Sequence, residues 1–423
     1  MSSADIAWIL TCSALVLIMT PGVAFFYGGL VRGKNVAATI MHCVMAMGLV
    51  GVVWVMWGYS LAFAPTIGGF VGNLDWVGLK GVSATEAGPY SDTVPHQAFM
   101  IFQAMFAIIT PALIVGAFAE RMKFSAFVIF IVAWVTIVYA PMAHWAWAKG
   151  GWLGELGALD FAGGTVVHIN SGVAALAAAL IMGRRLGYGR QPMVPHNVPL
   201  VVLGAGLLWF GWFGFNAGSA LAADGSAVNA FVVTNTAAAA ALVTWVGMSW
   251  AFGKKPSVIG AASGAVAGLV AITPAAGFVG PMPAILIGFG AGVLCYGAIE
   301  LLAKLKVDDS LAVWGVHGIG GTWGALATGL FVGIGFGTLA EGVSRIEQVG
   351  YQFVGIGATW AWSFVMTSAI LLAIKFAIGL RVHDHEEVAG LDISQHGEPA
   401  YVTEEPGSLV TPAPAMSGGD GGD

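Results

Sequence analysis

Two stretches of this chain carry a carboxylate followed eight residues later by a histidine: Asp160 to His168, and Asp309 to His317. Both histidines fall in long apolar runs, where an imidazole is costly and ordinarily functional. Burial disfavours the imidazolium, so two neutral rings are expected. Two such rings sharing one N–H···N bond can pass a proton or hydrogen-bond a small polar solute. No third ligand shares their depth, which argues against a metal. Aromatic residues are arranged near them. Phe102 and Phe106 are four apart and share a helical face. Phe215 and Ser219 do the same in the run WFGFNAGS, and Trp147 closes another apolar stretch. If these faces converge, an arriving cation meets Trp147, Phe102 and Ser219, then the rings of Phe106 and Phe215, then the imidazoles. An aromatic face attracts a cation by about 0.5–2 kcal/mol, and a serine hydroxyl can accept a hydrogen bond from it. Taken singly, each ring reads as ordinary packing.

The elements that must hold these residues follow from composition. Of 423 residues, 58% are hydrophobic and 9% charged, against about 25% charged in a soluble domain. Eleven apolar runs recur, at roughly 7–28, 36–63, 97–119, 124–147, 162–183, 198–220, 228–252, 257–278, 282–303, 311–334 and 351–379. Each is long enough, at about 1.5 Å per residue, to cross about 30 Å of hydrocarbon. In lipid every backbone polar group must be paired within its own segment, so an all-α polytopic membrane protein of eleven transmembrane helices is expected. Lys and Arg favour the cytoplasm in short loops. With the N-terminus outside, thirteen of the sixteen basic residues face inward, Lys80, Lys149 and Arg345 being the exceptions. The expected orientation is therefore N-out, C-in.

Five crossings separate the run bearing His168 from the run bearing His317, so the two point in opposite directions. Inverted repeats place their shared site near the bilayer midplane. Each histidine lies about 12 Å of helix from the end marked by its aspartate, and the two depths converge. The expected organisation is a transmembrane domain over 1–381, with inverted five-helix repeats at about 1–185 and 198–335 and a final helix at 351–379. A weaker echo, ITPA at 109–112 and at 272–275, sits in the third segment of each half.

The remaining features read more plainly. No basic region or cleavage site precedes the first apolar run, so no cleaved signal peptide is expected. Cys12, Cys43 and Cys295 lie in apolar segments and suit packing. Gly260, Gly264 and Gly268 share one helical face and suit close helix contact. His42 and His144 read as packing residues, and His96, His196, His383, His385 and His396 as solvated loop or tail residues. Glu120 and Arg121 mark a helix end with a structural role. Residues 382–423 hold nine acidic residues and no Lys or Arg and are expected to form a cytoplasmic tail. Its stretch from Thr411 onward is expected to be disordered, while Leu380 to Tyr401 could dock on cytoplasmic loops.

Six ordered motifs carry a resemblance: FYGGLVRGKN at 26–35, GAFAERMKFSA at 116–126, GALDFAGGTVVHINSG at 157–172, WFGFNAGSA at 212–220, GVHGIGG at 315–321 and GLDISQHGEPAY at 390–401. Together they resemble the Amt/Mep/Rh ammonium transporters, the bacterial Amt branch in particular. The resemblance implies an outer recruitment site of Trp147, Ser219 and Phe102. It further implies a phenylalanine gate of Phe106 and Phe215, twin pore histidines His168 and His317, and Asp160 as structural and electrostatic support. It also implies a homotrimer in the plasma (inner) membrane, ammonium or ammonia as substrate, no cofactor, and a tail that helps bind a PII-family signal protein. Two departures stand out. The loop from Trp147 to Asp160 is one residue longer than in familiar bacterial members, and the tail runs on beyond Tyr401.

Three rival classes fare worse. An enzyme lacks an activated nucleophile or metal set at pore depth, and the chain offers no basic surface for nucleic acid. A sodium-coupled carrier would show broken helices with polar midplane oxygens. An ammonium sensor would need a signalling domain for which the tail leaves little room, whereas an electroneutral ammonia or small-gas channel remains open.

Overall fold

The computed structural model describes residues 1–402, and the disorder expected from Thr411 onward lies outside that range. The first five apolar helices are α1 (Ser3–Leu30), α2 (Gly33–Phe63), α3 (His96–Phe118), α4 (124–147) and α5 (Gly164–Met182). The second five are α6 (Val198–Gly218), α7 (Gly225–Ala251), α8 (Val258–Ile272), α9 (Pro281–Leu305) and α10 (314–331). The long α11 (Arg345–Ala377) follows, then two short tail helices, α12 (Asp384–Ala389) and α13 (Leu391–His396). Among the described residues nine helices are long and apolar enough to cross a membrane; α8 and α10 are the shorter pair. This is a polytopic helical membrane protein. Among the described residues the strands form two small hairpins in the loop between α2 and α3, and one isolated bridge joins Met122 to Arg381.

Three boundaries differ from expectation for identifiable reasons. α8 stops at Ile272 instead of 278, and Pro274 supplies no N–H to carry it on. α10 starts at Trp314, once the Asp309 carboxylate has accepted from the Trp314 amide at 2.7 Å. α11 starts six residues early at Arg345, because Ser344 and Glu347 form a capping box.

Packing pairs equivalent helices of the two expected halves. α1 lies along α6, where a side chain at Gly204 would strike the Phe26 backbone. α5 crosses α10. Gly264 and Gly268 of α8 meet α7 at Trp245, Ala241 and Ala238, and the three cysteines are buried and unpaired. The first residues and the described part of the tail lie apart. Ser2 donates to Thr93 O in the loop before α3, whereas the tail docks at the opposite end of the bundle.

That opposite end carries an ion cluster and the tail. Glu120 pairs with Arg32 at 2.6 Å and Arg185 at 3.3 Å, and Arg185 pairs with Asp308 at 2.8 Å. Arg121, fully buried, donates to Ala117 O and Asp308 O at 2.8 Å. Burial alone would raise the Glu120 carboxyl, but Arg32 and Arg185 outweigh it and hold it below the usual range. Asp308 is held low in the same way by Arg185. The tail docks beside this cluster. Asp392 accepts from the Val36 and Ala38 amides, Lys34 donates to the Glu387 and Val388 carbonyls, and Glu387 pairs with Arg381 at 2.6 Å. The tail therefore docks through its acidic residues onto the starts of α2 and the loop after α5.

The minor histidines divide. His144 is satisfied by Ala62 O and Thr66 Oγ1, and His42 donates to Ala38 O. His96 is not solvated: it opens α3, is buried, and sits 2.7 Å from the Tyr59 hydroxyl under the hairpin loop. His396 is half-buried against Phe124, whereas His383 and His385 are exposed.

Breaking the ion cluster tests its weight. Glu120→Gln leaves Arg185 and Arg32 short of a counter-charge, a loss of about 3–5 kcal/mol for a buried pair, read as a lower melting temperature in detergent. The low-held carboxyls stabilise the fold above their unfolded values of about 4–4.5 and lose that contribution as pH falls through the depressed values. The gap between wild type and Glu120→Gln is therefore expected at pH 7 and should narrow below pH 4.

Candidate functional site: a gated passage with paired imidazoles

The eight-residue step has a structural cause. Asp160 caps the start of α5, its carboxylate accepting from the amides of Gly163, Gly164, Thr165 and Val166 and from the Thr165 hydroxyl. A carboxylate suits this position, because the first amides of a helix have no partner within it. Asp309 does the same for α10 through the Trp314 amide. Burial pushes the Asp309 carboxyl up to about 6. Each histidine then falls in a π-helical opening turn, Gly164–Ile169 in α5 and Trp314–Gly318 in α10.

A reciprocal pair of glycines brings the turns together. Gly172, four residues after His168, lies on the Gly318 backbone, which a methyl group would strike. Gly321, four residues after His317, would place a Cβ 2.9 Å from Gly164 O and 3.0 Å from His168 Cβ. The backbones thus cross at near contact and the imidazoles meet. Their Nδ1 atoms are 3.3 Å apart and the ring centroids 5.3 Å. Both rings are buried.

The tautomers follow from one hydroxyl. Thr273 Oγ1 donates to Leu269 O at 2.8 Å and accepts from Trp212 Nε1 at 2.9 Å. Its proton is spent, so His168 Nε2 at 3.3 Å is the donor. His168 Nδ1 then offers only a lone pair, and His317 Nδ1–H donates to it. His317 Nε2 is left as an acceptor, on a ring that lines the inner cavity.

Aromatic rings close the passage on one side. Phe106 and Phe215 lie against each other with centroids 4.2 Å apart and planes tilted by 38°, and both are buried. Phe215 and Trp212 in turn stack on His168, at 5.9 and 5.3 Å. Behind this barrier is a narrow cavity of about 30 Å³, walled by the two imidazoles and by residues such as Val23, Ile109, Leu208 and Val313. It has room for one or two water-sized molecules. In front of the barrier opens a vestibule of about 220 Å³, bounded by Trp147, Ser219, Phe106, Gln103, Tyr90 and Phe161. Ser219 Oγ donates to Phe215 O at 2.9 Å, which leaves its lone pairs free. Trp147 is anchored by donation to Asp160 O at 2.9 Å.

Seven of the eight residues singled out from the sequence thus line the passage or brace its wall. Phe102 stands apart. It is fully buried, edge-on to Phe106 at 4.9 Å, and packs over Gly218 instead of facing the vestibule. Five contributors escaped the sequence reading. Thr273 lies in the second ITPA echo, which was the available signal. Trp212 read as packing, Gln103 as one residue of an apolar run, and Gly172 and Gly321 as general small-residue content.

A dry, ring-gated passage inside a polytopic helical bundle defines a membrane conduit for a small solute. The chain belongs to the Ammonium Transporter Family, whose sequence model matches residues 7–401. The ammonium transporter of Bacillus subtilis is 50% identical over 405 residues, covering 95% of this chain and 99% of that protein. The crystal structure of Candida albicans Mep2 superposes with a TM-score of 0.84 at 41% identity, over 91% of this chain and 88% of that one. A structure described as a Sensor Amt Protein superposes with a TM-score of 0.87 at 32% identity, over 93% and 98%.

The glycine crossing is directly testable. Gly172→Ala forces α5 from α10, and transport of the family substrate into proteoliposomes is expected to fall at least about tenfold, in proportion to the roughly 1–3 kcal/mol cost of overpacking. Gly297→Ala, whose new methyl would meet open space, is expected to change neither melting temperature nor flux.

Proposed function

We propose that this protein moves ammonium nitrogen across the membrane as neutral ammonia, recruiting the cation in the vestibule and releasing its proton before the gate. The observation that carries this reading is the pair of buried, hydrogen-bonded imidazoles behind the rings of Phe106 and Phe215. Moving an intact cation through so dry a passage carries a desolvation penalty of order 20 kcal/mol by the ideal Born estimate. Potassium has no way round that cost. Ammonium has one, since it can give up a proton.

In this reading Trp147 and Ser219 hold the cation, the first by its π face and the second by its oxygen. Phe102 backs the ring of Phe106. Phe106 and Phe215 form the gate, and ammonia then passes beside His168 and His317. The N–H···N bond between the rings offers the proton a separate route. Asp160 positions both Trp147 and the turn bearing His168. Thirteen of the sixteen basic residues lie at the end opposite the vestibule, which supports a vestibule facing outward, eleven crossings, and a tail in the cytoplasm. Placement in the plasma (inner) membrane, a homotrimer with one conduit per subunit, and a PII-family partner at the docked tail belong to the same proposal. They rest on the family.

Currents on solid-supported membranes test the mechanism. Wild-type proteoliposomes are expected to give transient currents with ammonium pulses and none with potassium. His168→Ala combined with His317→Ala is expected to lose that current or to admit potassium. If the double variant kept both wild-type current and potassium exclusion, the relay would be wrong. Ammonia-dependent pH changes without any wild-type current would instead favour an electroneutral channel.

A further inference from the structure

We propose that Gln103 is a cation-binding residue of the vestibule, supplying a second oxygen acceptor besides Ser219; the inference rests on the recruitment reading above. Gln103 follows Phe102 in α3, one turn before Phe106 is complete, and its side chain bounds the same vestibule as Ser219, Trp147 and Phe106. The residue is 91% buried, from a relative exposure of 9%, and its Oε1 is wholly sequestered with no hydrogen-bond partner. Its amide nitrogen makes no hydrogen bond to the described residues either.

An unpaired buried amide is costly, and native folds rarely keep one without use. Here the use is at hand. Neither end of the amide is committed, so a half-turn about its last torsion exchanges oxygen and nitrogen without breaking a protein hydrogen bond. A cation in the vestibule supplies the missing partner. Ammonium carries four N–H donors. One can reach the free lone pair of Ser219 Oγ and one the Gln103 oxygen, leaving two directed at the faces of Trp147 and Phe106. Two oxygens and two rings then match a tetrahedral donor better than one oxygen alone. The apolar neighbours Tyr90, Phe99 and Phe161 keep the contact partly dry, which strengthens it.

The test uses the full chain in proteoliposomes with ammonium chloride jumps of rising concentration. Gln103→Leu keeps the shape and removes both polar atoms. It is expected to raise half-saturating ammonium by about tenfold or more, the loss typical of a hydrogen bond to a charged group, with the saturating current unchanged. Gln103→Glu keeps an oxygen and adds charge. It is expected to lower half-saturation below wild type and to make it steeply dependent on ionic strength. Packing alone would produce neither the separation of half-saturation from maximal current nor the response to salt. Unchanged half-saturation in a Gln103→Leu protein of normal melting temperature overturns the inference. If that variant fails to fold, the Glu variant decides, and a wild-type curve there overturns it equally. Ser219→Ala separates the two levels of the argument. Raised half-saturation in Ser219→Ala with none in Gln103→Leu removes Gln103 alone, whereas no change in either removes the recruitment site itself.

Discussion

The crossing of α5 and α10 is the contact on which everything else in this protein depends. Two helices running in opposite directions can present side chains to each other at one depth only if their backbones approach. Gly172 and Gly321, each one turn past a histidine, permit that approach, and each lies on the other helix's opening turn. The aspartates then set where those turns begin. Asp160 and Asp309 satisfy amides that would otherwise be orphaned, and so fix the distance from helix start to imidazole. A membrane supplies little apolar drive for helix association. Close packing of small residues and directed hydrogen bonds must therefore do the positioning, and at this crossing both are present.

Around that contact the polar groups are rationed by depth. The passage holds one hydrogen-bonded chain, Leu269–Thr273–His168–His317, with Trp212 joined to it at the threonine. Because Thr273 has a single proton, the chain has a direction, and the unused acceptor falls on His317. The charges sit elsewhere. Glu120, Arg185, Arg32 and Asp308 form a paired cluster at the end of the bundle, where mutual pairing and hydrogen bonds offset the cost of burial. The docked tail ties the start of α2, the start of α4 and the loop after α5 to one acidic segment beside that cluster.

Much of this was readable in one dimension. Apolar runs of about 20 residues have a single solution in lipid, so the helices and their order follow from composition. The Asp-to-His spacing and the odd number of crossings placed both imidazoles near one depth, and the capping box at Ser344 was present for α11. Other features were written but weak. Thr273 belongs to a tetrapeptide echo whose first copy stays inside α3 while the second ends α8 at Pro274. Phe102 shows the converse, since spacing puts it on the face of Phe106 without saying that Gly218 draws its ring away from the vestibule.

The chain by itself determined the solvent it must live in, the order of its apolar segments, and the imidazoles and carboxylates among them, because those depend on local composition and helical rise. The tertiary structure decided which of them touch. It buried His96 beneath a hairpin, gave Thr273 and Trp212 to His168, left the Gln103 amide without a partner, and bound the acidic tail to α2. Each of those outcomes joins residues far apart in the chain, and periodicity carries no information about which distant surface a given face will meet.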